Sequence, residues 1–154
     1  MKQICIILIS SLSLNAIGQQ SQAGNEKSKP FQVCETELKW SDTKPPLLPG
    51  AQIAILDGNP KESGHFTIRI KFPPYYKLPP HKHAVDERTT VIQGSIGLGF
   101  GEVADSTKVV HLTKGCYIMN PAGVVHYSFT GPEETIIQIS TNGPWGLDLI
   151  KQKQ

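Results

Sequence analysis

The chain has 154 residues, of which 38% are hydrophobic and 18% charged, and its formal net charge is +2. This composition indicates one globular domain with a real core, and it excludes a disordered polymer and a second domain of ordinary size. Because the Lys and Arg residues are spread along the chain without a basic run, we expect no nucleic-acid partner.

The first 18 residues have the pattern of a secretory signal peptide. Lys2 precedes an apolar stretch over 4–14, and Ala16 and Gly18 supply the small residues of a cleavage site before Gln19. The stretch is shorter than the roughly 20 residues that a spanning helix needs. We therefore expect a secreted or periplasmic protein without membrane attachment after cleavage. The alternative is a buried strand or short helix of the mature protein.

Residues 19–30 are polar and lack large apolar side chains, so they are predicted to form a flexible lead-in to a single domain over 31–154. Two cysteines, Cys34 and Cys116, remain after the predicted cleavage. Export would permit a disulfide between them. The alternative is a small buried apolar residue, which the strand-like surroundings favour for Cys116.

The mature domain is dominated by strand signals. Residues 65–72 alternate Phe66, Ile68, Ile70 and Phe72 with polar residues, which is the period of a strand with one buried face. Further strands are predicted at 52–56, 89–93, 96–100, 109–112, 116–119, 126–130, 135–140 and 147–150. Gly and Pro turn signals separate them, and no long helical period is present. The sequence therefore predicts an all-β sandwich or barrel, long enough for a double-sheet jelly roll.

Two histidines and a glutamate stand at the beginning of one of these strands. In an extended chain His81 and His83 face the same way, and Glu87 shares their parity if the chain stays extended past Val85. Two imidazoles and a carboxylate are costly to bury unpaired, and a divalent metal ion satisfies all three. His126 is a candidate fourth ligand, although the fragment that carries it holds no contact information.

These stretches resemble the paired motifs of the cupin family. The first motif matches at His81, His83, Glu87 and Gly94, and the second matches at Gly115, Pro121, Gly123 and His126, with the spacings of both motif cores kept. The resemblance implies a small jelly-roll β-barrel over roughly 51–150. It also implies a metal site with four ligands, His81, His83, Glu87 and His126.

The chain departs from the family pattern at two positions. The first motif begins with Gly six residues before the first histidine, where this chain has Tyr75, and the second ends with Asn, where this chain has Thr130. Neither position is a metal ligand. We therefore expect the metal site to be kept, and the departures concern a local turn and one pocket wall.

The identity of the metal ion stays open at this point. Iron, manganese, nickel or cobalt in octahedral coordination would leave two positions open beside the four ligands, whereas tetrahedral zinc would be closed and less reactive. The open arrangement favours an enzyme. Glu87 is then the candidate catalytic residue, since a glutamate that detached or bound through one oxygen could also move a proton.

The remaining polar candidates have more ordinary interpretations. Gln93, Gln138 and Thr130 are expected to line the pocket without a catalytic role, and His65 and His111 to be surface or hydrogen-bonded histidines. An alternative to the metal site itself is a metal-free pocket, in which the His and Glu side chains form hydrogen bonds to a sugar or an acid.

Three function classes follow from the resemblance. The first is a metal-dependent oxidoreductase, such as a dioxygenase acting on a small organic molecule. The second is a non-catalytic module that binds or senses a metal or small ligand. The third is a metal-free sugar-nucleotide epimerase or isomerase, and the presence of all four ligands counts against it. The resemblance also implies a possible homodimer, and the barrel alone does not choose a reaction.

Overall fold

The structure is a computed structural model that describes residues 29–45 and 49–151. The unit that begins at Gln32 contains a 3₁₀ turn at Glu35–Glu37 followed by strands alone. The strands are β1 (Ser41–Asp42), β2 (Gln52–Asp57), β3 (Gly64–Phe72), β4 (Lys77–Lys82), β5 (Glu87–Gln93), β6 (Ser95–Phe100), β7 (Val110–Thr113), β8 (Tyr117–Asn120), β9 (His126–Thr130), β10 (Thr135–Gly143) and β11 (Asp148–Leu149). Each predicted strand overlaps one of them.

The strands form two antiparallel sheets. One sheet has the order β1-β2-β3-β10-β5-β8, and the other has the order β11-β4-β9-β6-β7. From β3 to β6 the chain alternates between the two sheets, as it does again from β7 to β11, which is the arrangement of a double-stranded β-helix. This confirms the predicted all-β jelly roll. Among the described residues, no helix is long and apolar enough to cross a membrane.

The core lies between the sheets and is built around β3. Phe66, Ile68, Ile70 and Phe72 are no more than 2% exposed, whereas the polar residues between them are half-buried. Facing residues of β10, such as Ile139, complete the inner surface of this sheet. Burying a side chain of this size contributes about 1.5–3 kcal/mol, so the alternating pattern of β3 is a main source of the barrel's stability.

The sequence pattern missed β1 and β4. Strand β4 contains Pro79 and Pro80, which indicate a turn in the sequence because proline cannot donate to a strand ladder. The structure accommodates them because the pairing of β4 with β9 is irregular between Leu78 and His81, and β11 pairs with β4 only at His81 and Lys82. Neither proline nitrogen is thus needed in a regular ladder, while the Pro80 carbonyl still accepts from the Ile150 N–H.

Both departures from the cupin pattern bear on the turn before β4, because Tyr75 lies in the turn and Thr130, at the end of β9, forms hydrogen bonds to it. Tyr75 has a φ of 57°, a left-handed conformation that glycine adopts without strain. The Thr130 hydroxyl accepts from the Tyr76 N–H at 2.7 Å and donates to the Pro73 carbonyl at 2.9 Å. Thr130 therefore pins the turn. The expectation that it lines the pocket is wrong, because its hydroxyl is used up by the turn's backbone and it is absent from the cavity wall.

The remaining sequence expectations have mixed outcomes. The signal peptide falls on residues outside those described. Cys34 and Cys116 are free thiols, exposed and half-buried respectively, so no disulfide joins them. Gln93 and Gln138 do not line the cavity, because Gln93 is exposed and donates to the Glu134 carbonyl, and Gln138 accepts from Arg69.

Candidate metal centre

The four predicted ligands meet between the two sheets. His81 on β4 and His126 on β9 are direct partners in the five-stranded sheet, whereas Glu87 begins β5 in the other sheet. His83 lies in the bend that connects β4 to β5. The chain is therefore not extended past Val85, and the four side chains converge because the chain crosses from one sheet to the other rather than by strand parity.

The three histidines form a tight buried cluster. Each is 2–3% exposed, and one nitrogen from each ring lies within 4.8 Å of the other two. The ring centroids are 4.3 Å apart for His81 and His126, 5.1 Å for His81 and His83, and 5.3 Å for His83 and His126. Three buried imidazoles at these distances are the arrangement of a metal site with histidine ligands. The other two histidines, His65 on β3 and His111 on β7, are exposed.

Backbone carbonyls fix the tautomer of all three rings. The Nδ1 atom of His81 lies 2.7 Å from the Pro79 oxygen, that of His83 lies 2.6 Å from the Gly146 oxygen, and that of His126 lies 3.1 Å from the Val124 oxygen. A carbonyl only accepts, so each Nδ1 carries the proton. Each Nε2 then keeps its lone pair for a metal ion. A backbone carbonyl that accepts from Nδ1–H is the usual outer support of a histidine ligand.

Glu87 lies beside the cluster on the side of His83. Its Oε2 atom is 3.0 Å from His83 Nε2, and its Oε1 atom is 3.9 Å from His126 Nε2. Oε1 also accepts from the Thr89 hydroxyl at 3.3 Å and from the Asn120 amide at 3.2 Å. The carboxylate is thus held in one orientation, with Oε2 directed at His83.

The site's ionisation reflects this crowding. Burial and the neighbouring charge of His126 lower the pKa of His81 to about 4, and burial also lowers the pKa of His126. Burial lowers the pKa of His83 too, but the Glu87 carboxylate outweighs it and raises that pKa above its ordinary value. Burial raises the pKa of Glu87, but His83 and the other histidines outweigh it and lower the pKa to about 2. Of the three rings, only His83 has a raised pKa, so it is the first to take up a second proton as the pH falls.

These residues fit a divalent transition metal. An unprotonated His83 Nε2 and a carboxylate oxygen are both acceptors, so a positive charge must lie beside them to hold them 3.0 Å apart. A proton on Nε2 is one such charge, and the carboxylate favours it, as the raised pKa of His83 shows. A metal ion satisfies Nε2 and the carboxylate together, and three imidazoles with one carboxylate suit iron, manganese, cobalt, nickel or zinc.

The loops that carry the ligands are joined to each other. The Gly123 N–H donates to the His83 carbonyl at 2.9 Å, and the Ala122 N–H donates to Asp86 Oδ1 at 3.0 Å. The Thr141 hydroxyl donates to the Asp86 carbonyl at 2.7 Å. Asp86 therefore ties the two motif loops and β10 together. The sequence pattern did not single it out, because it stands next to a predicted ligand and its partners lie on other strands.

The histidine cluster and Glu87 line a small cavity. Its volume is about 30 Å³, which holds roughly two water-sized groups. Its wall is mostly aliphatic and aromatic and also includes Asn120 and Trp145, which the sequence pattern missed. The Trp145 ring stacks on His83 with centroids 5.2 Å apart and planes inclined by 17°. No motif marked either residue, because their place at the site depends on strand pairing and on the path of the chain after β10.

Known proteins of this fold support the assignment of the barrel. The chain resembles the polyketide cyclase RemF from Streptomyces resistomycificus, with a TM-score of 0.67 and 19% identity over 82% of this chain and 89% of that chain. A provisionally assigned acetylacetone dioxygenase from Methylibium petroleiphilum PM1 gives a TM-score of 0.62 and 18% identity over 81% and 83%. An RmlC-like cupin from Shewanella frigidimarina gives 0.57 and 18% over 75% and 91%. At these identities the likeness shows the fold alone.

The sequence itself matches one family model. Residues 33–145 match the model described as "Domain of unknown function (DUF4437)". No curated protein matches the chain. With its two-sheet barrel and its cupin neighbours, the chain therefore belongs to the DUF4437 family, and its fold is that of the cupins.

Proposed function

We propose that the protein is an exported cupin that binds one divalent metal ion through His81, His83, His126 and Glu87 and acts on a small organic molecule as a dioxygenase-like oxidoreductase. One observation carries the metal part of this proposal. Three buried rings donate Nδ1–H to backbone carbonyls and have one nitrogen each within 4.8 Å of the others, and the Glu87 carboxylate lies beside His83 and His126.

When bound, such an ion supplies Lewis acidity and, for a redox-active metal, electron transfer. The chain's residues supply the rest. The apolar wall excludes water and strengthens electrostatic interactions inside the cavity. The backbone carbonyls at Nδ1 keep the rings in one orientation, and Thr89 and Asn120 do the same for the Glu87 carboxylate.

The surroundings of Glu87 support a role as ligand more than as proton carrier. Two hydrogen bonds to Oε1 and the nearby histidines stabilise the charged form, and the pKa of about 2 makes the carboxylate a weak base at neutral pH. Asn120 on β8 is the direct partner of Glu87 on β5, so the strand pairing keeps its amide beside the carboxylate. Proton transfer by Glu87 would require one carboxylate oxygen to leave the metal.

A second candidate function is a non-catalytic binding module, and the size of the cavity favours it. A volume of about 30 Å³ admits only a few ligand atoms unless a wall residue moves. Ile118 and Trp145 are the half-buried members of the wall, so a larger ligand would need one of them to move. A rigid wall would limit the site to a metal ion with water or a very small ligand.

A substrate screen separates the two candidates. The protein is loaded in turn with Fe²⁺, Mn²⁺, Co²⁺, Ni²⁺ and Zn²⁺ and offered small phenols, diketones and sugar acids, with oxygen uptake and product formation as readouts. The oxidoreductase proposal expects oxygen uptake with iron or another redox-active ion that disappears in His126→Ala and persists in the exposed-histidine control His65→Ala. Tight binding of a compound without oxygen uptake or conversion would favour the binding module.

Export and self-association are parts of the proposal that rest on the sequence. Export is supported by the signal-peptide pattern of residues 1–18, and N-terminal sequencing of exported protein should begin at Gln19. Exported protein that begins at Met1 would contradict it. A homodimer is expected from the resemblance to cupins, and light scattering on the purified protein should give twice the mass of the mature chain.

A further inference from the structure

Within the described part of the chain, three buried side-chain atoms lack a hydrogen-bond partner, and all three belong to residues that line the same cavity. They are His83 Nε2, Asn120 Oδ1 and Trp145 Nε1. The proposed metal ion accounts for His83 Nε2. One acceptor, on Asn120, and one donor, on Trp145, are left over. Buried polar groups without a partner are rare and costly, so a pair of them in one cavity points to a ligand.

The amide of Asn120 cannot turn away to find another partner. Asn120 is 3% exposed, and its Nδ2 donates to Glu87 Oε1 at 3.2 Å. Because a carboxylate only accepts, this bond also determines which amide atom is the oxygen. Oδ1 is therefore the free end, and what it lacks is a hydrogen-bond donor.

The indole of Trp145 is restrained in a similar way. Its ring stacks on His83 at 5.2 Å and packs against Phe66 at 6.3 Å with an inclination of 57°. A neighbour on each side hinders rotation of the ring. The indole N–H can only donate, so what it lacks is a hydrogen-bond acceptor. Asn120 and Trp145 thus stand at the two ends of the His83–Glu87 pair and have opposite needs.

The remaining wall determines the character of the ligand. Ile70, Phe72, Leu78 and Ile139 are among the apolar side chains that line the cavity. They disfavour a ligand with many polar groups, and a cation would face the proposed metal ion and the histidines. The small volume disfavours a large ring system.

We propose that Asn120 and Trp145 are specificity residues that select a small neutral molecule carrying a hydroxyl group close to a second oxygen. The hydroxyl donates to Asn120 Oδ1, and the second oxygen accepts from Trp145 Nε1–H. This inference deepens the proposed function, on which it rests, because the selected molecule shares the cavity with the metal ion. It names the substrate class as short-chain hydroxy ketones and their close analogues.

The test compares two probes that differ in one donor. Hydroxyacetone carries both groups, and methoxyacetone keeps the oxygens but loses the hydroxyl proton. Dissociation constants are measured by calorimetry and ligand-observed NMR on the Co²⁺-loaded full chain, and the Co²⁺ absorption spectrum reports the state of the metal site separately. We expect hydroxyacetone to bind about tenfold more tightly than methoxyacetone, the scale of one hydrogen bond to a buried polar group.

Variants then assign the two hydrogen bonds. Trp145→Phe removes the indole N–H and keeps a ring against His83, and Asn120→Ala removes the acceptor. Each should weaken hydroxyacetone binding about tenfold, and Asn120→Ala should also abolish the preference over methoxyacetone. The matched controls Trp40→Phe and Asn142→Ala lie outside the cavity wall and should change neither constant.

The outcomes separate this inference from the proposed function. If wild type fails to bind Co²⁺, the metal proposal fails, and the same probe comparison on the metal-free protein still tests the pair. The inference is overturned if wild type binds both ketones equally or binds neither. It is also overturned if Trp145→Phe and Asn120→Ala leave hydroxyacetone binding unchanged while the Co²⁺ spectrum stays that of wild type.

Discussion

The two ends of the β4–β9 strand pair differ in how closely they match the cupin pattern. At one end His81 and His126 are direct partners and match the pattern in every position. At the other end Tyr75 and Thr130 replace the pattern's Gly and Asn, yet the turn closes because the Thr130 hydroxyl accepts from the Tyr76 N–H and donates to the Pro73 carbonyl.

The difference lies in what each end requires. A metal ligand must supply a particular atom with a free lone pair, and few side chains do so. A turn requires backbone angles and hydrogen bonds, which several residues can supply at a modest energetic cost. Substitutions at the metal end should therefore abolish a property, whereas substitutions at the turn end should only shift stability.

Removal of one ligand should have the largest effect. We expect His83→Ala to lower metal affinity by more than about 100-fold, since even outer-shell changes cost 10–100-fold. The barrel should stay folded, because its core around β3 does not include the ligands. Metal analysis after dialysis and circular dichroism measure the two properties. The exposed-histidine control His111→Ala should keep its metal, and full metal occupancy in His83→Ala would remove that residue from the site.

Glu87→Gln should have a smaller effect on metal affinity than His83→Ala. The amide keeps the shape and one oxygen but loses the charge, so metal affinity should fall by about 10–100-fold. If Glu87 is only a ligand, turnover should recover once the metal is added back. A reloaded variant that stays about 100-fold slow would instead indicate a lost general acid or base. Glu134→Gln, an exposed position, is the control.

Metal binding should weaken as the pH falls. Below the pKa of His83, which the Glu87 carboxylate raises above the ordinary value of 6.5, the metal must displace a second proton from that ring. Below that pKa the affinity should fall by about tenfold per pH unit, because one bound proton is lost for each ion bound. Co²⁺ titrations between about pH 8 and pH 5.5 measure the slope. An affinity that is constant over this range would contradict the assignment of His83.

At the turn end, Thr130→Ala should destabilise the fold without changing the metal affinity. It removes two buried hydrogen bonds, one from the Tyr76 N–H and one to the Pro73 carbonyl, which costs about 1–3 kcal/mol. Denaturant unfolding measures the loss, and the exposed control Thr113→Ala should change little. A loss of metal affinity together with unchanged stability would place Thr130 at the site rather than in the turn.

The smallest expected effect is a gain. Tyr75 is 71% exposed and has a φ of 57°, so Tyr75→Gly relieves backbone strain and gives up little packing. Relief of about 1–2 kcal/mol, less the greater flexibility of glycine in the unfolded chain, leaves a net gain of about 0.5 kcal/mol. Tyr117→Gly, an exposed strand position, should be destabilising by contrast. A Tm for Tyr75→Gly below that of wild type would show that the tyrosine side chain stabilises the turn.

Much of the barrel could be predicted because its signals are local. The alternation of apolar residues over β3 directly reflects one buried face, and the Gly and Pro turns mark most strand ends. Strand β4 was not predicted because Pro79 and Pro80 carry the local signal of a turn. Only the irregular pairing with β9, a property of the assembled sheet, makes room for them.

The site divides in the same way. The four candidate ligands could be named from the sequence because their spacing matches the cupin motifs, and the structure brings them together by a crossing between sheets rather than by strand parity. Asp86, Asn120 and Trp145 could not be named, because each acts through a partner distant in sequence. No spacing rule connects residue 86 to 122 or residue 83 to 145.

The most direct test of the metal centre is anomalous diffraction from crystals of the metal-loaded protein. At the absorption edge of the bound ion, we expect one strong peak within about 2.0–2.2 Å of Nε2 of His81, His83 and His126 and of a Glu87 oxygen. A cavity without an anomalous peak, or a peak bound by other residues, would contradict the account.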